Sequence, residues 1–200
     1  MNQLFTYAFL FFMLVMAIHR VCTTFFVSGQ EKGNVSNGWT IYALSIVHIS
    51  VGISATLEYL LSDKPLNYVI TLIGLFMFSV ALGGRRWAVN TLGKYHSAHI
   101  ELRENQPLIR LGPYQYIRHP IYFFIIIELL GFPLIANTYY AFTLSLLLYI
   151  PLVLLRLTLE EKELGKRFGN DYLQYKATVP CLIPFFKRHR SDQTVTTEGT

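Results

Sequence analysis

The sequence predicts an all-α polytopic membrane protein of about five transmembrane helices, with a long polar segment and a charged C-terminal helix on its cytoplasmic face. Three observations predict it. Hydrophobic residues make up 52% of the chain and charged residues only 14%, where a soluble domain carries about 25% charged residues. The apolar residues lie in long blocks rather than being spread along the chain. The basic residues flank those blocks, which is the positive-inside pattern. The net charge of +5 is therefore read as membrane topology and contact with membrane lipids, and no nucleic-acid partner is expected. Cys22 and Cys181 lie far apart and form no metal-ligand spacing, so neither a disulfide framework nor a bound metal is expected.

The first apolar block runs from residue 4 to about 27 and is interrupted only by His19, Arg20 and small hydroxyls. About 20 residues cross a hydrocarbon core, and no Lys or Arg precedes the block, so it reads as a first span and not as a cleavable signal. Arg20 is expected to snorkel to the interface. A polar loop, 28–38, leads to a second span from Trp39 to Leu61, with Trp39 as an interfacial anchor. His48 within it reads as a satisfied interior histidine, and Glu58 lies close enough to its end to reach water. Ser62-Asp63-Lys64-Pro65 is a short turn, so spans two and three are expected to form a tight antiparallel hairpin.

The third span covers residues 66 to about 82 and is expected to end at Gly83-Gly84, before Arg85-Arg86-Trp87. Residues 85–118 are mixed polar, and so long a loop in so small a protein usually carries function. Spans four (121–135) and five (139–155) form a hairpin broken at Asn137-Thr138, with kinks expected at Pro133 and Pro151. Glu128 is costly inside a span and must face a partner or a wet cavity. Arg156 opens a charged helix, and the last ten residues are polar. The chain thus divides into N-terminal spans (1–84), a functional region containing the second hairpin (85–190), and a tail expected to be disordered (191–200).

Topology follows from charge. Residues 85–118 hold six Lys/Arg and the stretch from Arg156 holds eight, so fourteen of seventeen fall on one side if the spans number five. That side is expected to be cytoplasmic. The membrane is the plasma membrane in a prokaryote or the endoplasmic reticulum in a eukaryote.

The chemistry concentrates at two places. Gly112-Pro113-Tyr114-Gln115-Tyr116-Ile117-Arg118-His119-Pro120-Ile121-Tyr122 is a polar, aromatic turn directly before span four. Pro120 suits a first helical turn, which sets His119 at an N-cap, where free backbone N–H groups favour anions. Interfacial anchoring by Arg118, Tyr116 and Tyr122 is the blander account. Arg156 and Glu160 are four apart and share a helix side. They are either an ion pair on a solvated helix or separate ligands for a charged small molecule.

These motifs, with Arg156-x-x-x-Glu160-Glu161 and Phe168-Gly169-x-x-Tyr172-x-x-Tyr175 through to Pro180 and Pro184, resemble the isoprenylcysteine carboxyl methyltransferase family over roughly residues 94–186. The resemblance implies a membrane methyltransferase that uses S-adenosylmethionine without a Rossmann domain, in a cytoplasm-facing pocket. It implies cofactor contacts at Tyr114, His119, Pro120, Ile121, Tyr122 and Glu160, and at the tetrad Gln106-Pro107-Leu108-Ile109. The family usually begins that tetrad with histidine, and an upstream family glutamine falls at His99. Arg156 matches the arginine that holds the substrate carboxylate, and so stands as both catalytic and substrate-binding residue.

The implied acceptor is an isoprenylcysteine-like or other lipophilic molecule. A phospholipid amine or lipid hydroxyl is the alternative, with Glu128 or a tyrosine then serving as base. Two further readings are an NADPH-dependent membrane sterol-type reductase, whose motif resembles Arg-His-x-x-Tyr, and a non-catalytic membrane partner whose basic face meets anionic lipid.

Overall fold

Apolar blocks separated by Gly, Asn and Pro fold into six helices among the residues that the structure, a computed structural model, describes: 3–25, 34–62, 64–97, 100–102 and 106–183. His99, Pro184 and the tail 191–200 lie outside them. Helix α1 is Gln3–Phe25, α2 is Trp39–Leu61, α3 is Tyr68–Leu92, α4 is Pro120–Ile135, α5 is Tyr139–Phe168 and α6 is Asn170–Thr178. Among the described residues, three stretches are long and apolar enough to cross a membrane: Trp39–Leu61, Tyr68–Tyr95 and Tyr139–Phe168. Pro120–Ile135 is apolar but shorter, and α1 is apolar over Gln3–His19. The five expected apolar helices are therefore present, and over the described residues three of them are long and apolar enough to span. Helix α4 is short because Asn137, at φ 58, turns the chain directly after it.

Among the described residues, the fold departs from all-α at one place. Asn34–Ser36 (β1) pairs antiparallel with Ile100–Leu102 (β2), which ties the α1–α2 connection to the polar segment after α3.

The third helix does not stop at Gly83-Gly84 but continues to Leu92. The glycines serve side-by-side helix contact instead: a Cβ on Gly84 would lie 2.1 Å from the Phe124 ring of α4. The same device recurs deeper in the bundle. A Cβ on Gly74 would lie 2.7 Å from the Ile135 nitrogen and 2.8 Å from the Gly131 carbonyl. Small residues let helix backbones approach closely in membrane bundles, so α3 lies along α4. We expect Gly74→Ala to force the two backbones apart at a cost of about 1–3 kcal/mol. A thermal melt in detergent should drop by several degrees, while Gly83→Ala, which meets nothing within 4 Å, should leave it unchanged.

That pairing overturns the expected hairpin of spans two and three. Their connection is short, but the main partner of α2 is α5. Glu58 is half-buried and accepts the Tyr140 and Ala141 backbone N–H groups at 3.1 and 3.0 Å, and so caps the start of α5 from α2. Carboxylates favour helix N-termini. The α4–α5 hairpin forms as expected. Asn137 accepts the Asn67 N–H at 2.7 Å and donates to Thr71 at 3.0 Å, so its turn also locks the start of α3.

The core is built from Leu44, Val51 and Ala55 of α2, Phe78 of α3, Phe132 of α4, and Tyr149 and Val153 of α5. Phe12 of α1 sits edge-on to Phe78 at 5.2 Å, and Phe9 to Tyr59 at 5.1 Å. Helix α5 passes Arg156 without a break, so no separate charged helix opens there. Pro151 lacks the N–H for an i→i−4 bond. Ser145–Tyr149, just before it, is a π-helical turn, so the helix adjusts instead of ending.

Candidate functional site

A cavity of about 660 Å³ opens where α2, α3, α4, the C-terminal part of α5 and α6 converge. The polar segment folds over it as an extended strap, 106–110, followed by the 3-10 turn Gly112–Gln115. Gly112 holds φ 56, in the left-handed region that favours glycine, and a Cβ there would also lie 2.8 Å from the Thr91 hydroxyl. This turn puts Tyr114 into the cavity wall. Burial pushes its phenol above the usual range, so it stays protonated at pH 7. Its carbonyl accepts a bond from Tyr175 of α6, whose phenol burial raises to about 12. Arg110 donates to the Asp171 carbonyl at 2.7 Å and lies 5.5 Å over the Tyr175 ring, so the strap is pinned to α6 at two points.

The site's central group is a three-residue relay. Arg156 Nε donates to the Tyr122 hydroxyl at 2.7 Å, and that hydroxyl donates onward to Glu160 Oε2 at 2.6 Å. Arg156 Nη1 also donates to the Thr40 hydroxyl of α2 at 2.7 Å. Arg156 is 3% exposed. The solvated-helix account of Arg156 and Glu160 is thus overturned: the tyrosine of α4 stands between them, and the arginine is buried.

Arg118 does something else. Its guanidinium meets Glu161 through Nε at 3.0 Å and through Nη2, and donates from Nη1 to the Lys176 and Val179 carbonyls at 3.2 and 2.6 Å. Its backbone N–H reaches the Pro180 carbonyl, and that of His119 reaches Cys181. Arg118 is therefore a clamp that fastens the motif to α5 and the chain after α6, not an interfacial anchor. His119 is 4% exposed, with Nδ1 3.9 Å from Glu160 and Nε2 3.4 Å from Glu161. The fold brings Cys181 into this group, with ligand atoms of His119, Glu161 and Cys181 within 4.8 Å of one another. Glu161 already holds Arg118 and also Lys176, at 2.6 Å. Two cations occupy the carboxylate that a metal would need.

Of the residues singled out in the sequence, Gln106, Pro107, Leu108, Ile109, Tyr114, His119, Ile121, Tyr122, Arg156 and Glu160 all line the cavity. Pro120 is buried in the first turn of α4 but is not among the lining residues. His99 lies outside the described residues. Glu128 is likewise not a lining residue; it pairs with Arg85 of α3 at 3.1 Å, which answers its need for a partner and removes it as a free base.

Sequence reasoning missed Thr40, which sits in no motif. It named Tyr172 and Tyr175 without a role, although their i,i+3 spacing already puts both on one face of α6. Both line the cavity.

The cavity asks for a polar occupant. Among the described residues, the Tyr114 hydroxyl and Gln106 Oε1 are buried without a hydrogen-bond partner, and both belong to lining residues. Unpaired buried polar atoms are costly, and a ligand with donors and acceptors would satisfy them. The volume falls within the usual range for small-molecule sites, about 300–1,000 Å³.

Fold and site together define a mainly α-helical membrane protein built around a cavity of mixed polar and apolar lining at one end of its helices. A solved structure, the eukaryotic intramembrane Ras methyltransferase ICMT, has the same fold, with a TM-score of 0.60 and 22% identity over 73% of this chain and 53% of that one. Residues 72–166 match the isoprenylcysteine carboxyl methyltransferase (ICMT) family. The uncharacterized protein YpbQ of Bacillus subtilis is 29% identical over 68% of this chain and 80% of its own length. Protein-S-isoprenylcysteine O-methyltransferase of Xenopus laevis is 30% identical, over 59% of this chain and 42% of its own. Methanethiol S-methyltransferase 1 of Bradyrhizobium diazoefficiens is 35% identical, over 36% of this chain and 24% of its own. The chain thus spans less than half the length of either named enzyme.

Proposed function

We propose that this protein is a membrane methyltransferase that takes S-adenosylmethionine in the 660 Å³ cavity and methylates a lipophilic acceptor bearing an anion. The observation that carries the reading is the Arg156–Tyr122–Glu160 relay, in a cavity where the Tyr114 hydroxyl and Gln106 Oε1 lack partners.

The residues fit that cofactor. Glu160, Tyr114, His119 and the strap 106–109 would hold its polar parts, and Ile121 with the aromatic faces of Phe168, Tyr172 and Tyr175 would form the apolar wall. Aromatic faces attract a cationic centre. When bound there, S-adenosylmethionine supplies a methyl group on a sulfonium sulfur. Arg156 would orient the acceptor anion, since a guanidinium binds a carboxylate through a planar fork. A carboxylate is already ionised at pH 7, so the residues need supply alignment and water exclusion rather than a base. The concentration of basic residues near the site favours a cytoplasmic cavity.

The acceptor proposed first is an isoprenylcysteine-like carboxylate, by likeness to the Xenopus relative. The Bradyrhizobium relative supports a second acceptor class, a thiol. The test begins with calorimetry of S-adenosylmethionine in detergent on the wild type and Glu160→Ala. We expect saturable binding, weakened about tenfold or more by the loss of hydrogen bonding to a charged group. Labelled-methyl transfer to an S-farnesylated cysteine and to a small thiol then separates the two acceptors. A folded wild type that binds no S-adenosylmethionine would overturn the assignment.

A further inference from the structure

We infer that Thr40 is a positioning residue for Arg156, fixing the plane of its guanidinium against the cavity so that it meets the anionic end of the acceptor. The inference rests on the methyl-transfer reading above for the identity of that acceptor.

Thr40 lies in the first turn of α2, outside the stretch 72–166 that carries the family match. Its neighbour Trp39 is exposed, yet Thr40 is 0% exposed. Its hydroxyl donates to the Asn37 carbonyl at 2.9 Å and accepts from Arg156 Nη1 at 2.7 Å. A hydroxyl carries one proton. Once that proton is committed to Asn37, only lone pairs face Arg156, and the hydroxyl is an obligate acceptor.

Tyr122 is arranged in the same way: its proton goes to Glu160, and its lone pair takes Arg156 Nε. Two obligate acceptors, one on α2 and one on α4, thus grip two different nitrogens of a planar group on α5. Both are neutral oxygens, and together they fix the directions of two guanidinium nitrogens. Arg118, which clamps the fold, is instead held by the Glu161 carboxylate. Back-bonding of a threonine to the preceding turn is common and accounts for the Asn37 bond. It does not account for complete burial or for a contact with a residue 116 positions away.

The experiment compares Thr40→Val, which keeps the shape and removes the acceptor, with Thr40→Ser, which keeps the acceptor. In protein labelled with 15N-arginine, the Arg156 guanidinium signals, assigned by their loss in Arg156→Lys, should show restricted rotation in the wild type and Thr40→Ser. In Thr40→Val they should average. With an S-farnesylated cysteine as acceptor, Thr40→Val should raise KM about tenfold or more, the worth of one charge-assisted bond. S-adenosylmethionine affinity should hold, and Thr40→Ser should recover KM. Arg156 signals that do not change in Thr40→Val would overturn the inference. So would equal losses in both variants. A wild type that turns over no acceptor would instead remove the methyl-transfer reading, and the arginine spectra would still decide the role of Thr40.

Discussion

Arg156→Lys is expected to reduce methyl transfer about a hundredfold or more, while leaving S-adenosylmethionine affinity within a few-fold of the wild type. Charge is conserved in this variant, so the loss measures geometry. The guanidinium reaches Tyr122 with Nε and Thr40 with Nη1, groups that belong to different helices. A lysine ammonium is a compact point charge and cannot keep both directions while presenting a planar fork to an anion. Either hydroxyl left without its donor keeps the bond it donates but loses one to a charged group, which costs about 1.5–3 kcal/mol. The Tyr122–Glu160 bond does not pass through Arg156, and the proposed cofactor contacts lie on that side. Transfer assays with saturating cofactor, beside calorimetry on the same preparation, check both halves. A lysine variant with wild-type turnover would remove Arg156 from the acceptor site.

Arg118→Ala should have the largest effect on stability, about 3 kcal/mol, because it removes one of the two cations on Glu161 and leaves two carbonyls without their donor. The residue is 9% exposed, and one guanidinium holds Glu161 together with the carbonyls of Lys176 and Val179. Its loss uncouples the motif before α4 from the end of α5 and from the chain after α6. Those elements carry Tyr114, His119, Glu160 and Tyr175, so the cavity wall should loosen as well. The expected result is a fall in melting temperature of roughly 10 °C in detergent, with S-adenosylmethionine affinity lost in the same variant. Glu161→Ala should reproduce the effect, and the double variant Arg118→Met with Glu161→Leu should recover part of the stability, since apolar pairs of similar volume often replace buried ion pairs at little cost. Activity should not return with it.

The location of the site is legible in the amino-acid order. The aromatic turn from Gly112 to Tyr122 and the pair Arg156 and Glu160 carry polar chemistry where apolar blocks begin or end, and residues from both stretches line one cavity. The role of each residue is not legible there. Arg118 and Arg156 look alike in sequence. One is a clamp because a carboxylate, Glu161, faces it; the other points at hydroxyls from two other helices. Glu160 and Glu161 are adjacent, and helical geometry sends one toward Tyr122 and the other toward Arg118 and Lys176. Such differences arise from neighbours 15 to 116 positions away, which no local pattern encodes.

Hydropathy and punctuation were enough to locate the helices: the second matches its apolar block from Trp39 to Leu61, and the fourth begins at the proline that suits a first turn. Hydropathy can do this because it reports the transfer of a whole segment into an apolar medium. Packing in three dimensions settled the rest: which helices are neighbours, that α3 runs on past Gly84, that Glu58 caps α5, and that Arg85 answers Glu128. In a membrane bundle both the lipid-facing and the helix-facing sides are apolar, so periodicity does not reveal the contact face. The choice falls to close approach at small residues such as Gly74 and Gly84 and to a few buried polar bonds.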